Sequence, residues 1–231
     1  MEISPTRVAA WMEENRWRLA AGRPLVRPAG NRRTVYLVTK RILDVVGAIS
    51  ALALLSPIMA ATYLILLVTT KGRPVFAQER VGYCGRTFLM VKFRTMCLDA
   101  EQRQFQVLND KNGPIFKNRR DPRVTRLGRW LRSLSIDETP QLFMVLSGHM
   151  SLVGPRPLPT QEVARCQPWH QQRLAVKPGL TCLWQVSGRS EIGFEDWVRM
   201  DLWYLDNQSL LTDLRLLAKT PLAVLSRRGA Y

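Results

Sequence analysis

Residues 45–70 read VVGAISALALLSPIMAATYLILLVTT, twenty-six positions without a charged side chain. A run of that length is read as a membrane segment. As one straight helix it measures roughly 39 Å at 1.5 Å per residue, against a bilayer core of about 30 Å. A single tilted spanning helix accommodates the difference. Two features argue for another arrangement. Ser56-Pro57 stands near the middle, and an interior proline removes a helical hydrogen bond. Both flanks are basic, with Arg32, Arg33, Lys40 and Arg41 before the run and Lys71, Arg73, Arg80 and Arg86 after it. A spanning helix keeps its basic side in the cytoplasm. Two basic sides fit a helix–break–helix that enters and leaves by one face. Prolines also occur in spanning helices, so on the residues alone both arrangements stay open.

The rest of the chain is basic. Among 231 residues, 34 are Lys or Arg and 18 are Asp or Glu, a net charge of +16. That excess calls for a polyanionic partner: nucleic acid, anionic lipid or phosphorylated substrate. Seven tryptophans favour a membrane interface, where amphipathic aromatics collect. Cys84, Cys97, Cys166 and Cys182 form no CxxC pair and have no histidine at zinc spacing, which reads as four reduced thiols. His149 and His170 carry no motif.

Three regions follow: a basic extension over 1–33, a membrane region over 34–73, and the remaining unit over 74–231. In the first, Val8, Trp11, Met12 and Leu19 fit one face of a short amphipathic helix, and the lack of a continuous apolar core excludes a cleaved leader. After the membrane region, Pro74–Arg80 and Thr87–Arg94 flank a turn bounded by Gly82 and Gly85, a β-hairpin pattern. Lys92 and Arg94 are two apart on the second strand and share a face, with Phe93 on the other. Residues 99–112 are polar and read as helical at their start. Leu127, Trp130, Leu131 and Leu134 make a helical apolar stripe, with Arg123, Arg126, Arg129 and Arg132 around the other side. Phe194–Leu225 reads as helices whose Trp197, Trp203 and Tyr204 suit a membrane surface. The fold class expected is α+β, mostly helical: a membrane helix pair, a small hairpin and interfacial amphipathic helices.

Two short stretches attract attention for chemistry. Asp137-Glu138 precedes Thr139-Pro140 and the apolar run Gln141–Leu146. Thr139 suits an N-cap and Pro140 the first helical position. Acidic residues are common there as dipole compensation, so the pair alone does not declare a site. Gly154-Pro155-Arg156-Pro157 fixes the backbone around one arginine, and Lys177-Pro178-Gly179 is a second tight turn. An arginine held in this way either faces water or is set for a bidentate anion.

Eight segments, in order, resemble the bacterial sugar transferase family, the monotopic polyprenyl-phosphate phosphoglycosyl transferases. They are Lys40-Arg-Ile-Leu-Asp44, Ser56-Pro57, Gln78-Glu-Arg-Val-Gly82, Lys92-Phe-Arg-Thr-Met96, Asp121-Pro-Arg-Val-Thr-Arg-Leu-Gly128, Asp137-Glu138-x-Pro140-Gln141-Leu142, Gly154-Pro-Arg-Pro157 and Lys177-Pro-Gly-Leu-Thr181. Each is weak alone; the ordered set is specific. It runs from about Lys40 onward and looks like a short form without additional spanning helices. One departure is Cys182-Leu-Trp184-Gln185, where many members have Gly-Trp-Ala-Gln, and it leaves the sugar open.

The resemblance implies a membrane helix broken at Ser56 and Pro57, with the remainder on the cytoplasmic face of the bacterial inner membrane among anionic lipids. It implies Mg²⁺-dependent, two-step transfer of a sugar 1-phosphate from a UDP-sugar to undecaprenyl phosphate. By that resemblance Asp137 and Glu138 are the catalytic and metal-binding dyad. Lys92, Arg94, Arg132 and Arg156 are the phosphate-binding cations, and Asp213 is an acidic residue near the site. A homodimer stays open; nucleic acid is not an expected partner. The chemistry agrees with the residue types: a carboxylate can attack phosphorus, Mg²⁺ prefers carboxylate and phosphate oxygens, and arginine grips phosphate bidentately. A membrane-anchored nucleic-acid binder accounts for the +16 charge but leaves the dyad and the Pro-Arg-Pro turn unexplained. A non-catalytic scaffold leaves the intact dyad unexplained.

Overall fold

The computed structural model describes residues 10, 11, 13, 31–110, 113–227 and 229. Its first long element is helix α1, Asn31–Thr69, with Pro57 inside it. The break expected at Ser56-Pro57 is replaced by a continuous helix, and the local chemistry explains how. Proline has no N–H for the carbonyl four residues back, here that of Ala53. The Ser56 hydroxyl donates to that same Ala53 carbonyl at 2.9 Å and satisfies the acceptor. The helix stops where Gly72, at φ +82°, donates its N–H to the Leu67 carbonyl at 2.8 Å. That left-handed closure is a common helix end.

One face of α1 packs against the rest of the protein along nearly its whole length. Lys40, Asp44, Ala48, Thr62, Leu66 and Thr70 are buried, and Leu52, Leu55 and Met59 are partly covered. The spacing is three to four residues throughout, so they form one stripe. In the first half, the Arg41 guanidinium donates to the Val145 and Leu146 carbonyls at 2.6 and 2.7 Å. Asp44 accepts from the Ser151 hydroxyl and the Leu152 N–H, both at 2.9 Å. In the second half, Leu66 packs with Phe93 and Leu131. The opposite face is apolar and exposed: Leu54 is 78% and Val68 81% exposed, joined by Ile42, Val46, Ile58 and Leu64. The helix is long and apolar enough to cross a membrane.

The hairpin expected from the sequence is present. Strands β1, Val75–Val81, and β2, Thr87–Phe93, pair antiparallel from Val75↔Phe93 to Val81↔Thr87. Further along, a short β3, Ser151–Val153, precedes β4, Leu158–Pro159, which adds to the other edge of β1. Strand β3 also pairs parallel with β5, Gly179–Thr181. Helix α2, Arg126–Ser133, is capped by Thr125, whose hydroxyl accepts from the Gly128 N–H at 2.9 Å. It is followed by α3, Gln141–Leu146, and two single-turn helices, Thr160–Val163 and Pro168–Gln171. The short α4, Leu183–Ser187, leads to α5, Phe194–Asp206, and α6, Leu210–Leu225. The class is mixed helix and sheet with helix dominant, as expected.

Several local expectations are corrected. Trp197, Trp203 and Tyr204 do not lie on a membrane surface: they are 4%, 7% and 2% exposed, in a core that includes Val198, Leu202 and Leu216. Trp130, assigned to an apolar stripe, is 52% exposed, while Leu131 beside it is buried. Arg123 is not on a solvated face; it is buried against Asp121 at 2.7 Å and donates to the Ala100 carbonyl. Residues 99–110 form turns with one short 3-10 segment, Gln104–Gln106, rather than an α-helix. Thr139 is not an N-cap, because a helical turn over Ile136–Glu138 already precedes α3 and the Thr139 hydroxyl donates back to Ile136. Trp11 is buried in the main core and donates to Asp206 at 2.9 Å, which ties this position to α5. Val8, Met12 and Leu19 lie outside the described residues.

Candidate active site

The acidic pair sits in the single turn Ile136–Glu138, entered through Ser135 in the left-handed region at φ +54°. A serine there costs on the order of 1 kcal/mol, and such conformations cluster where a backbone must turn sharply to place a side chain. The turn leaves Asp137 buried at 6% exposure, on the wall of an open cleft of about 1190 Å³.

Arg156 arrives from the other side. Its guanidinium makes a two-pronged contact with Glu138, Nη1 to Oε2 at 3.0 Å and Nη2 to Oε1. The loop that carries it is fixed by close backbone packing. Gly154 N–H donates to the Thr181 carbonyl at 3.0 Å, and Gly179 N–H to the Pro155 carbonyl at 2.9 Å. A Cβ on Gly179 would sit 2.0 Å from the Gly154 nitrogen, so the two turns singled out in the sequence touch through their glycines. From beneath, Arg173 donates to the Arg156 carbonyl at 2.7 Å and is neutralised by Asp201.

Three further cations converge. Lys92, on β2, lines the cleft with Arg132 and Arg80. Arg132 is held by Nε donating to the Thr95 hydroxyl at 2.9 Å. Arg80 donates to the Pro157 carbonyl at 3.0 Å and to Gln78 Oε1 at 2.8 Å. The electrostatics follow from this crowding. Burial, then the charges of Arg132 and Arg80, pushes Lys92 down to about 8. Burial, then Glu138, pushes Asp137 up to about 6 despite the nearby cations. Burial alone would raise Glu138 too, but Arg156 outweighs it and holds that carboxylate below its ordinary range. The two acids are therefore driven apart: Glu138 is committed to Arg156, whereas no hydrogen bond or ion pair from the described residues occupies the Asp137 carboxylate. Separation of two carboxylates in this manner assigns them different tasks.

Of the residues expected at the site, Asp137, Glu138, Lys92, Arg132 and Arg156 come together in the cleft. Two do not. Arg94 donates to the Arg73 and Val75 carbonyls at 2.8 and 3.2 Å and faces a neighbouring cavity beside Phe76. Asp213 is 0% exposed and saturated by Lys40 at 3.0 Å, Tyr36 at 2.9 Å and Tyr204 at 2.6 Å. It locks α1 to α6 and does not line the cleft. Ser56 and Pro57 lie in α1, as described. Arg80, Trp184, Gln185 and Arg189 also line the cleft and were not singled out as site residues. Arg80 has a signal once the hairpin register is known: Phe76 faces Lys92 across the strands, so Phe76, Gln78 and Arg80 share the Lys92 face.

Among the described residues no cluster of three or more His, Cys, Asp or Glu side chains occurs. The dyad offers a divalent ion the Asp137 carboxylate and the lone pairs that the Glu138 oxygens keep beside Arg156. Mg²⁺ suits that donor set, because it is commonly held by one or two carboxylates with phosphate and water completing the shell.

An acid pair, Asp137 buried and Glu138 half-buried, thus stands beside a proline-flanked arginine in a basic cleft. The family model described as "Bacterial sugar transferase" matches residues 35–227. The chain belongs to the bacterial sugar transferase family. It is 43% identical over 201 residues to the UDP-galactose-lipid carrier transferase of Erwinia amylovora, covering 83% of this chain and 41% of that one. It is 42% identical over 201 residues to the undecaprenyl-phosphate galactose phosphotransferase of Salmonella typhimurium, again 83% of this chain and 41% of the relative. The exopolysaccharide production protein ExoY of Sinorhizobium fredii is 38% identical over 213 residues, with 89% and 91% coverage. The chain thus spans about two-fifths of the length of the first two relatives and nearly all of the third. The family match includes every cleft residue expected from the sequence.

Proposed function

We propose that the protein transfers a sugar 1-phosphate from a UDP-sugar to undecaprenyl phosphate, releases UMP, and so begins synthesis of an exopolysaccharide, O-antigen or other glycoconjugate. The observation that carries this reading is the asymmetry of the dyad: Glu138 gripped by Arg156 and Asp137 left without a partner among cations. The names of relatives supply the substrate class, since they include a galactose phosphotransferase and an N-acetylgalactosamine phosphotransferase acting on undecaprenyl phosphate.

In the first step an Asp137 oxygen attacks the sugar-bearing phosphorus. A phosphorus–oxygen bond forms to the carboxylate, the bond to the UMP oxygen breaks, and UMP leaves with the electron pair. In the second step an oxygen of the carrier phosphate attacks the same phosphorus and frees Asp137, giving the carrier diphosphate sugar. Arg156, Arg132, Lys92 and Arg80 offset the charge that gathers on the phosphate oxygens, the largest kind of term in such transfers. Glu138 keeps Arg156 oriented. Asp137 and Glu138 would hold Mg²⁺, which would supply further charge neutralisation at the diphosphate. The deciding experiment mixes the purified protein with a panel of UDP-sugars and the carrier and scores UMP. No UMP from any sugar would end the proposal.

The pH profile is a direct readout. The attacking form of Asp137 is the carboxylate, so kcat/KM falls on the acid side, through about 6 before any metal binds. Lys92 serves as a cation, so kcat/KM falls again as pH rises through about 8. The free enzyme gives a bell with those two limbs. Lys92→Arg should remove the alkaline limb and keep the acid one; an unchanged alkaline limb would assign it to another group.

The membrane arrangement belongs to the same proposal. Both halves of α1 pack against one body, through Arg41 and Asp44 at one end and Leu66 at the other. That geometry supports a helix laid along a single, cytoplasmic face, with both its ends on that side and its exposed apolar face in lipid. Single cysteines introduced at Arg33 and Arg73 should both be shielded from a periplasmic thiol reagent in intact cells and labelled after permeabilisation. Periplasmic labelling of either one means that α1 spans.

A further inference from the structure

Most of the polar lining of the cleft is ionic. Trp184 and Gln185 are among its few uncharged polar groups, and they stand in the segment where the sequence departs from its family pattern. Three observations bear on them. The Gln185 side chain is partly exposed, and its carbonyl oxygen accepts from the Cys182 thiol at 2.8 Å. Cys182 is 2% exposed, and burial raises its thiol well above the ordinary value, so it stays a neutral donor. That contact engages the amide oxygen and orients the Gln185 NH₂ group as a donor. The Trp184 indole N–H is buried and has no hydrogen-bond partner among the described residues, a cost of about 1–3 kcal/mol in a finished core. The Trp184 ring lies 4.4 Å from the Trp197 ring and 4.8 Å below the Lys117 ammonium, centroid distances that fix its plane.

We infer that Trp184 and Gln185 form the sugar-selecting wall of the cleft, with Cys182 positioning the Gln185 amide. The inference rests on the sugar phosphate transfer proposed above and adds to it which residues read the sugar. A wall whose uncharged groups offer N–H donors suits a neutral ligand carrying hydroxyl or carbonyl acceptors. Those are the features of a hexose or an acetamido sugar. A phosphate is already provided for by Arg80, Lys92, Arg132 and Arg156.

The test separates the sugar from the nucleotide. Gln185→Ala and Trp184→Phe are compared with the parent protein across a panel of UDP-sugars, and each is also inhibited with UMP. Gln185→Ala should raise KM for the preferred UDP-sugar about tenfold, the ratio for one lost hydrogen bond to a neutral group, and should compress the ranking among sugars. The UMP inhibition constant should stay within about twofold of the parent, since one such bond is worth no less than that. Trp184→Phe keeps the ring and loses the N–H, and should act in the same direction. Cys182→Ala should give a smaller loss that vanishes when Gln185 is already Ala, as a positioning role requires. If Gln185→Ala retains both KM and ranking, the sugar is read elsewhere and the inference fails. If UMP inhibition weakens in parallel, the nucleotide occupies this wall and the inference fails. Should the parent protein release no UMP from any UDP-sugar, the transfer reading itself falls, a result distinct from either. A Trp184→Phe protein that does not fold leaves the decision to Gln185→Ala, whose side chain is partly exposed.

Discussion

Asp137→Asn is expected to release no burst of UMP. The parent protein, given UDP-sugar without the lipid carrier, should release about one equivalent quickly and then stop, the mark of a covalent intermediate. The amide has no anionic oxygen to attack with, and loss of a nucleophile costs about 10³-fold or more. Asparagine nearly matches aspartate in shape, so the turn Ile136–Glu138 should persist. Removing the buried charge also relieves the repulsion that helps push Asp137 up to about 6. The variant should therefore be no less stable than the parent, and a melting temperature checks this separately from activity. Glu138→Gln is the comparison. It weakens the grip on Arg156 but leaves the attacking carboxylate, so some burst should survive with slow turnover. If Asp137→Asn retains a sizeable fraction of turnover, with deamidation excluded by mass, the carrier phosphate attacks UDP-sugar directly and no aspartyl intermediate forms.

How far the sequence carried these conclusions differs from element to element. The hairpin was legible because two strand patterns flank a glycine-bounded turn, and such local signals determine register. The dyad was ambiguous on its residues alone, since acids before a short helix are common; only the ordered motif set raised it. What no local pattern could supply was the Arg156–Glu138 contact across 18 residues, or the glycine-to-glycine approach that holds the Arg156 loop. The tryptophans misled for a related reason. Trp197 and Trp203 share a short helix with charged residues, which reads as an interface, yet their side of α5 is packed in the core, where Asp201 is met by Arg173, while Glu195 and Asp196 stay exposed on the other side. Asp213 illustrates the same limit. An acid flanked by leucines says nothing of partners 173 and 177 residues away, and those partners make it an anchor for α1. The proline at position 57 signalled a break, but the hydroxyl beside it supplies the hydrogen bond that a break would have released.

Arg156 offers the second large effect, and its two substitutions should fail differently. Arg156→Lys keeps a charge and loses the planar fork. One ammonium cannot reproduce two parallel contacts to Glu138 while also facing a phosphate, so kcat should fall about tenfold to a hundredfold, the cost of roughly one charge-assisted hydrogen bond. Arg156→Gln removes the charge as well. Glu138 then lacks the cation that holds it below the carboxylate range, and Asp137 loses one of the charges that counter its burial. Both groups must bind protons more tightly. The sign is fixed: a carboxylate that loses a neighbouring cation is harder to ionise, so the acid limb of kcat/KM should move above 6. The Lys variant should keep that limb near its original place, because the charge remains. Binding to membranes should be unaltered in both, since Arg156 lines a cleft to which α1 contributes no wall. A Gln variant whose rate drops while its acid limb stays at about 6 would mean that the limb does not report Asp137. A Lys variant with the parent rate would mean that Arg156 contributes positive charge alone and that the rigid Pro-Arg-Pro turn serves the fold rather than the geometry of phosphate binding.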